Sequence, residues 1–393
     1  MRLLSIGAET NSLTAGVEID ALATGDFTIV PSPFASGGLA YRLLNNAGSA
    51  RNNRLSFKAS STQAAFFARV YVRIADYPTA QVNRFLLFCD ASSAIKVGLR
   101  LNTDGTLELW NEEDSAQIGV DSAPLALNTD YCIEIKVDCT TLATTACEAR
   151  INGVAFASGT ANLSAGLARF LFGTNSAADA SFDVYFDHIA INDNTGTFQN
   201  DYPGPGYLIH LKPNAAGDNN ALATVNGGTV GAANNFTRVA EVTPDDATTY
   251  NADNTVDRID DYNIETPAIG DGDIINFVAT YVRFAGAAAS ANAGFKTRIK
   301  ADTGGTVEES SEVTPASGTY FSNAPAAPFS APLMLSDLPG ASTSKWSKAS
   351  LTTAQVGVRI STGNTNAARI TTLQLQVEYV PGGNSIFSDE GLT

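Results

Sequence analysis

The sequence predicts an all-β protein of two domains. Three observations carry that prediction: apolar and polar residues alternate in short segments from end to end, the chain is poor in charge, and the alternation breaks once, at a Pro- and Gly-rich stretch near the middle. Of 393 residues, 44% are hydrophobic and 16% charged, against about 25% charged in an average globular protein. Asn, Thr, Ser and Gly supply the polarity instead, which disfavours both disorder and long surface helices built from Glu, Lys and Arg. The length exceeds what one core usually serves, so about two domains of roughly 200 residues are expected.

In the first half, strands are predicted at Phe66 to Ile74, Ile95 to Leu101, Thr106 to Trp110, Tyr131 to Val137 and Phe182 to Ile191. Asn102 to Gly105 (NTDG) turns the second into the third, because Asp-Gly tolerates the positive φ of tight hairpins, and Asn152-Gly153 supplies another hairpin. With that turn, Ile133, Ile135, Val137, Cys139, Cys147, Ala149 and Ile151 point one way, and a turn centred on Ala143 sets Cys139 opposite Cys147, oxidised or reduced. Alternation stops over Asp193 to Gly206 (DNTGTFQNDYPGPG), and a boundary near Tyr202 gives domains 1–202 and 203–382, with a tail at 383–393. The second half carries strands at Tyr207 to Pro213, Ile274 to Phe284, Phe295 to Ala301, Gln355 to Ile360 and Ile370 to Tyr379; Ala285 to Ala293 reads as either a short helix or an extended loop.

A formal net charge of −16 makes the surface repel phosphate backbones and anionic lipid headgroups, so neither nucleic acid nor a membrane is expected as a partner, although a locally basic patch stays open. No stretch approaches the ~20 apolar residues of a membrane helix. The start, MRLLSIGAET, lacks the apolar core of a signal peptide, so a soluble product of the cytosol is expected. Four Cys are too few to supply stability as disulfides, and Cys89, Cys132, Cys139 and Cys147 lack zinc-type spacing; they read as small hydrophobes.

Catalytic patterns are absent from the sequence. Sandwich glycosidases set two carboxylates across a cleft, in one version as E-x-D-x-x-E on a single strand, and no such set occurs. Glu112, Glu113 and Asp114 are contiguous and read as a solvated loop, as do Glu308, Glu309 and Glu312. His188 reads as a surface or interface residue, and His210 as exposed. The chain is therefore expected not to be an enzyme, and cleavage of polysaccharide is the weakest of the readings weighed.

Several spaced segments carry a family likeness. GAETNS around Glu9, SGGLAYRL at Ser36 to Leu43, FFARVYVRI, DGTLELW, NGV at Asn152 and FDHIAIND together resemble the laminin-G or concanavalin A-like jelly roll over the first half. The run NTGTFQNDYPGPGYLIHLKPNAAGDNN and the later DDATTYNADNTVDRIDDYNI resemble the tandem arrangement of structural proteins of tailed bacteriophages, with a second antiparallel β-sandwich after the jelly roll. The chain departs from that pattern at His188, where an acidic residue often follows the position of Asp187.

The resemblance implies a virion structural protein assembled in the host cytoplasm, decorating the capsid or forming part of the tail. It implies other virion proteins as partners and a homo-oligomer, with trimers the commonest form. The alternative is a glycan-binding adhesin, with Tyr71, Trp110 and Tyr131 as candidate sugar platforms. The resemblance also implies a structural Ca2+ held by Glu9, Asp187 and a backbone oxygen near Gly38.

Overall fold

The computed structural model describes every residue except 10–12, 14–18, 24–26, 46–52, 80–82, 175–181, 230, 303, 323–332, 342–343 and 383–393. The expected tail at 383–393 lies outside the described residues. The chain divides into two compact units, Met1–Pro205 and Gly206–Thr393, so the division falls inside the Pro/Gly stretch.

The first unit is a jelly-roll sandwich of two antiparallel sheets. Its strands are β1 (Arg2–Ile6), β2 (Ile19–Ala23), β3 (Phe27–Pro31), β4 (Leu39–Asn45), β5 (Arg54–Gln63), β6 (Ala65–Asp76), β7 (Asn83–Cys89) and β8 (Ile95–Leu101). They continue as β9 (Leu107–Asn111), β10 (Ala116–Gln117), β11 (Asp130–Asp138), β12 (Thr145–Ile151), β13 (Val154–Ala161), β14 (Leu167–Gly173) and β15 (Phe182–Asn192). One sheet runs β13-β12-β11-β6-β15-β4-β3 with β1 added to β15, and the other runs β10-β9-β8-β7-β14-β5-β2.

The inward side chains of the two sheets, among them Phe57, Phe66, Phe88, Phe170, Phe172 and Phe186, form one core. Period-two strands give this result because every second residue must leave water on the same side. Phe88 and Phe170 pack with ring centroids 5.1 Å apart, and Phe66 stacks on Phe88 at 5.9 Å.

Both predicted hairpins form. Gly105 has φ +86°, and Asn152 and Gly153 have φ +53° and +80°, the signature of a two-residue turn that pairs Ile151 with Val154. The expected facing of Cys139 and Cys147 is corrected. The register pairs Val137 with Cys147 and Asp138 with Ala146, so Cys139 lies beyond the partner of Cys147. A 3-10 turn at Leu142–Thr144 and the early start of β12 at Thr145 set this offset. All four cysteines are buried and none is joined in a disulfide.

The second unit is a second antiparallel β-sandwich. It contains β16 (Tyr207–Leu211), β17 (Pro213–Asn220), β18 (Thr224–Asn226), β19 (Tyr250–Asp253), β20 (Ile259–Ile264) and β21 (Ile274–Gly286). These are followed by β22 (Gly294–Lys300), β23 (Val307–Glu309), β24 (Phe321–Ser322), β25 (Met334–Leu335), β26 (Gln355–Thr362) and β27 (Ala368–Val380). One sheet is ordered β18-β19-β27-β21-β24, with β16 on β27 and β25 on β21; the other is β17-β20-β26-β22-β23. The segment after β21 contains no helix and enters β22 as a loop, resolving the two readings of Ala285 to Ala293.

A buried carboxylate, Asp260, organises part of this unit. It accepts from the Leu222 amide at 2.9 Å, Asn235 Nδ2 at 2.7 Å and Tyr262 Oη at 2.8 Å. A buried charge supplied with this many donors is retained in the fold.

Candidate functional site

A β-bulge creates the first site. Along β15, Asp187 pairs with Tyr71 of β6, but the next pair is Ala190 with Arg69, so β15 carries an extra residue and His188 takes φ +48°. Alternation fails there, and Asp187, His188 and Ile189 are all 0% exposed. The expected surface His188 is therefore corrected: the bulge tucks the ring in, 5.3 Å from the Tyr71 ring and 6.2 Å from Phe34 by centroids. His210, expected exposed, is half-buried on β16. Its Nδ1 lies 2.8 Å from Gln374 Oε1 and its Nε2 3.1 Å from Gln376 Nε2.

The end of β1 reaches the bulge, held by Tyr41 Oη donating to the Gly7 carbonyl at 2.9 Å. Glu9 and Asp187 meet there. A Cβ on Gly7 would collide with Glu9 Oε2 and lie 2.9 Å from Asp187 Oδ1, and one on Gly38 would lie 3.1 Å from Glu9 Oε1. The structure thus brings together Glu9, Asp187 and Gly38, with Gly7 as a residue the sequence reading missed. Glycine is needed at Gly7 for close approach and at Gly38 for φ +80°.

Glu9 Oε2 and Asp187 Oδ2 are out of solvent and have no hydrogen-bond partner among the described residues. Burial pushes the Glu9 carboxyl up to about 8, against the lowering effect of backbone N–H groups at Glu9 and Leu39. Asp187 is raised well above the usual carboxylate range by burial and then by the charge of Glu9, while the His188 amide donates to its Oδ1 at 2.8 Å. Two orphaned oxygens in a cradle with room for no Cβ suit a cation that takes oxygen ligands at loose geometry, which is the donor chemistry of Ca2+. Among the described residues no group of three or more His, Cys, Asp and Glu side chains could hold a metal, so backbone oxygen would have to complete the sphere of such a cation.

Ser36, His188 and Asp187 do not form a nucleophilic relay. Ser36 Oγ lies 2.7 Å from His188 Nε2, and Asp187 Oδ2 faces that same nitrogen at 3.6 Å. A relay needs the acid on one ring nitrogen and the hydroxyl on the other. Burial, then the Arg69 charge, holds His188 well below its ordinary value.

The second site is the outward face of the β10-β9-β8-β7-β14-β5-β2 sheet. Because Leu55 and Phe57 face the core from β5, and Phe170 and Phe172 from β14, Arg54, Ser56, Lys58 and Arg169 stand on the other side. Arg169 is in register with Lys58 on one flank and Cys89 on the other, and Gly98 with Trp110. The Arg100 guanidinium stacks over Trp110, 3.9 Å from its centroid, and donates to Glu112 through Nε and Nη2 at 2.7 Å each. Arg84 reaches the same carboxylate at 2.8 Å.

The Glu112 side chain is only 2% exposed, which corrects its reading as part of a solvated loop. Glu309 is likewise drawn into β23, where it accepts from Arg359 Nε at 2.8 Å and Nη2 at 2.6 Å. Trp110 is half-buried, and its Nε1–H is out of solvent with no acceptor among the described residues. Tyr71 and Tyr131 belong to the opposite sheet, and Tyr71 is 1% exposed, so the three aromatic candidates share no platform.

Neither a protein-family model nor a curated protein matches this sequence. Among solved structures, the chain is similar to the cellulose-induced protein Cip1 (15% identity, 52% of this chain and 100% of that one, TM-score 0.41). It is also similar to an endo-β-1,4-glucuronan lyase from the fungus Trichoderma reesei (10% identity, 52% and 100%, TM-score 0.38). A third similar structure is the alginate lyase Aly36B (10% identity, 48% and 96%, TM-score 0.33). At these identities the likeness is one of fold. The expectation that the chain is not an enzyme is corrected by the same findings, because solved structures similar to it include polysaccharide lyases.

Proposed function

We propose that the first unit is a glycan-binding jelly roll clamped by a calcium ion, and that the chain presents it at the surface of a phage particle as an adhesin in the capsid or tail. Trp110 is the observation that carries glycan binding. A half-buried indole on the outward face of a sheet, with the Arg100 guanidinium stacked on its ring, supplies the apolar platform that a sugar ring needs. The calcium reading rests on the orphaned oxygens of Glu9 and Asp187 and on the cradle that Gly7 leaves open. Placement on a virion, in repeated copies beside other virion proteins, rests on the sequence resemblance alone.

The test is a glycan array probed with the full chain in calcium, as wild type and as Trp110→Ala, with thermal unfolding of both. Binding that weakens at least tenfold in Trp110→Ala, about 1.4 kcal/mol, at an unchanged unfolding midpoint is the expected result. No glycan bound by the wild type, or equal binding by the variant, would overturn the reading.

A further inference from the structure

We infer that calcium held between Glu9 and Asp187 controls the segment 199–204, which is docked on the first unit when the ion is bound and loosened when it is removed. This inference rests on the calcium part of the proposed function and adds what that site regulates.

The segment lies within the first unit and forms a strap over the outward side of the β6-bearing sheet. Its Tyr202 ring lies under the Arg150 guanidinium, 3.6 Å from centroid to Cζ, and edge-on to Phe67 at 5.5 Å. Tyr202 Oη donates to Glu148 Oε1 at 3.1 Å. Two residues on, the Gly204 N–H donates to Glu134 Oε1 at 2.8 Å, and the Gly204 carbonyl accepts from Arg69 Nη1 at 2.9 Å. One ring and a few polar bonds hold the strap, so its release is a local opening that costs less than unfolding the sandwich beneath.

Both elements that bring the two carboxylates together also hold the strap. The first is the bulge of β15. The His188 amide donates to Asp187 Oδ1 at 2.8 Å, and the carbonyl of the same residue, set out of the ladder by the bulge, accepts from Arg69 Nε at 3.1 Å. Arg69, buried and in register with Glu134, therefore joins the bulge to Gly204. The second element is β1. Arg2 Nη2 donates to Gln199 Oε1 at 2.7 Å, and Asn192, the β15 partner of Arg2, donates through Nδ2 to the Asp201 carbonyl at 2.6 Å.

A cation between Glu9 and Asp187 draws the end of β1 and the bulge together, whereas two carboxylates placed there without one repel. A shift of Asp187 turns the His188 peptide that it grips, and with it the carbonyl on which Arg69 rests. A chain of bonds couples two sites only where both bias one element with two arrangements, and the strap, docked or loosened, is that element.

The experiment uses the full chain in calcium and in chelator. Calorimetry measures calcium affinity, and hydrogen exchange is followed by mass spectrometry on the peptide 199–205, on the turn at 112–115 and on β26. The variant Tyr202→Ala, which removes the strap's ring and touches neither Glu9 nor Asp187, is measured alongside. The expected result is strap exchange at least about fivefold faster in chelator than in calcium, with the turn and β26 unchanged. Coupling is reciprocal, so Tyr202→Ala should exchange faster in the strap and bind calcium more weakly than the wild type.

Calcium binding with strap exchange unchanged, or with a slowing that the turn at 112–115 shares equally, would overturn this inference and leave the calcium reading standing. A loosened strap with unchanged calcium affinity in Tyr202→Ala would do the same. No calcium binding by the wild type would overturn both readings.

Discussion

Arg100 and Trp110 form one unit with Glu112: the guanidinium lies flat on the indole at 3.9 Å while both of its donating nitrogens engage the carboxylate at 2.7 Å. Glu112 therefore aligns the cation that backs the candidate sugar platform. Glu112→Gln keeps the shape but gives up the charge that answers Arg84 and Arg100. Breaking a buried pair costs ~3–5 kcal/mol, and the partial exposure of Arg100 (17%) and Arg84 (39%) discounts this to about 1–3 kcal/mol. Chemical denaturation should show that loss, with glycan binding weakened through a less ordered Trp110. A variant as stable as the wild type would show that the pair is only surface decoration.

For the calcium clamp, adding calcium to chelated protein should raise the unfolding midpoint of the first unit, by about 2.7 kcal/mol of stability at a hundredfold excess over Kd. Asp187→Ala and Glu9→Gln should each remove the calcium-dependent rise. Gly7→Ala should do the same, since its Cβ would occupy the space beside Glu9 Oε2. A midpoint in the parent that does not respond to calcium or chelator ends the calcium reading.

The two histidines give a pH prediction. His210 is pushed down to about 4 by burial, against the raising effect of its bond with Gln374. Gln374 Nε2 donates to the Glu241 carbonyl at 2.9 Å, which turns its Oε1 toward His210 Nδ1–H and leaves Nε2 as an acceptor for Gln376. A histidine whose folded value lies below its unfolded value contributes stability that is fully present above pH ~6.5 and is lost as pH falls through about 4. The His210 imidazole should show no titration in NMR spectra between pH 8 and about 5, with His210→Gln assigning the signals of the two rings. A midpoint near 6.5 for His210 would mean that the ring is solvated.

Much of the fold was legible because its signals are local. The alternation of FFARVYVRI and the Asn152-Gly153 turn depend only on neighbouring residues, and β6 and the Ile151–Val154 pair follow from them. The offset of Cys139 was not legible, because it depends on how many residues the 3-10 turn consumes. At β15 the adjacent polar pair Asp187-His188 interrupts an apolar strand, a signal of the bulge that was read instead as continued alternation.

Glu9, Gly38 and Asp187 were reached through the family likeness, whereas Gly7 became visible only once β1 was seen to lie against the bulge. Arg54, Lys58 and Arg169 each look in sequence like an ordinary polar position of a half-buried strand. Their meeting depends on β5 and β14 lying side by side, and these are separated by a long stretch of chain.

The proposed glycan binding at Trp110 can be tested directly by fluorescence, since the chain has two tryptophans and Trp346 lies in the second unit. In a Trp346→Phe protein, emission reports Trp110 alone. Titration with the tightest ligand from the array should give a saturable shift in that emission, with the midpoint found for the wild type by calorimetry. Saturable binding by calorimetry with unchanged Trp110 emission would place the ligand elsewhere and contradict the account.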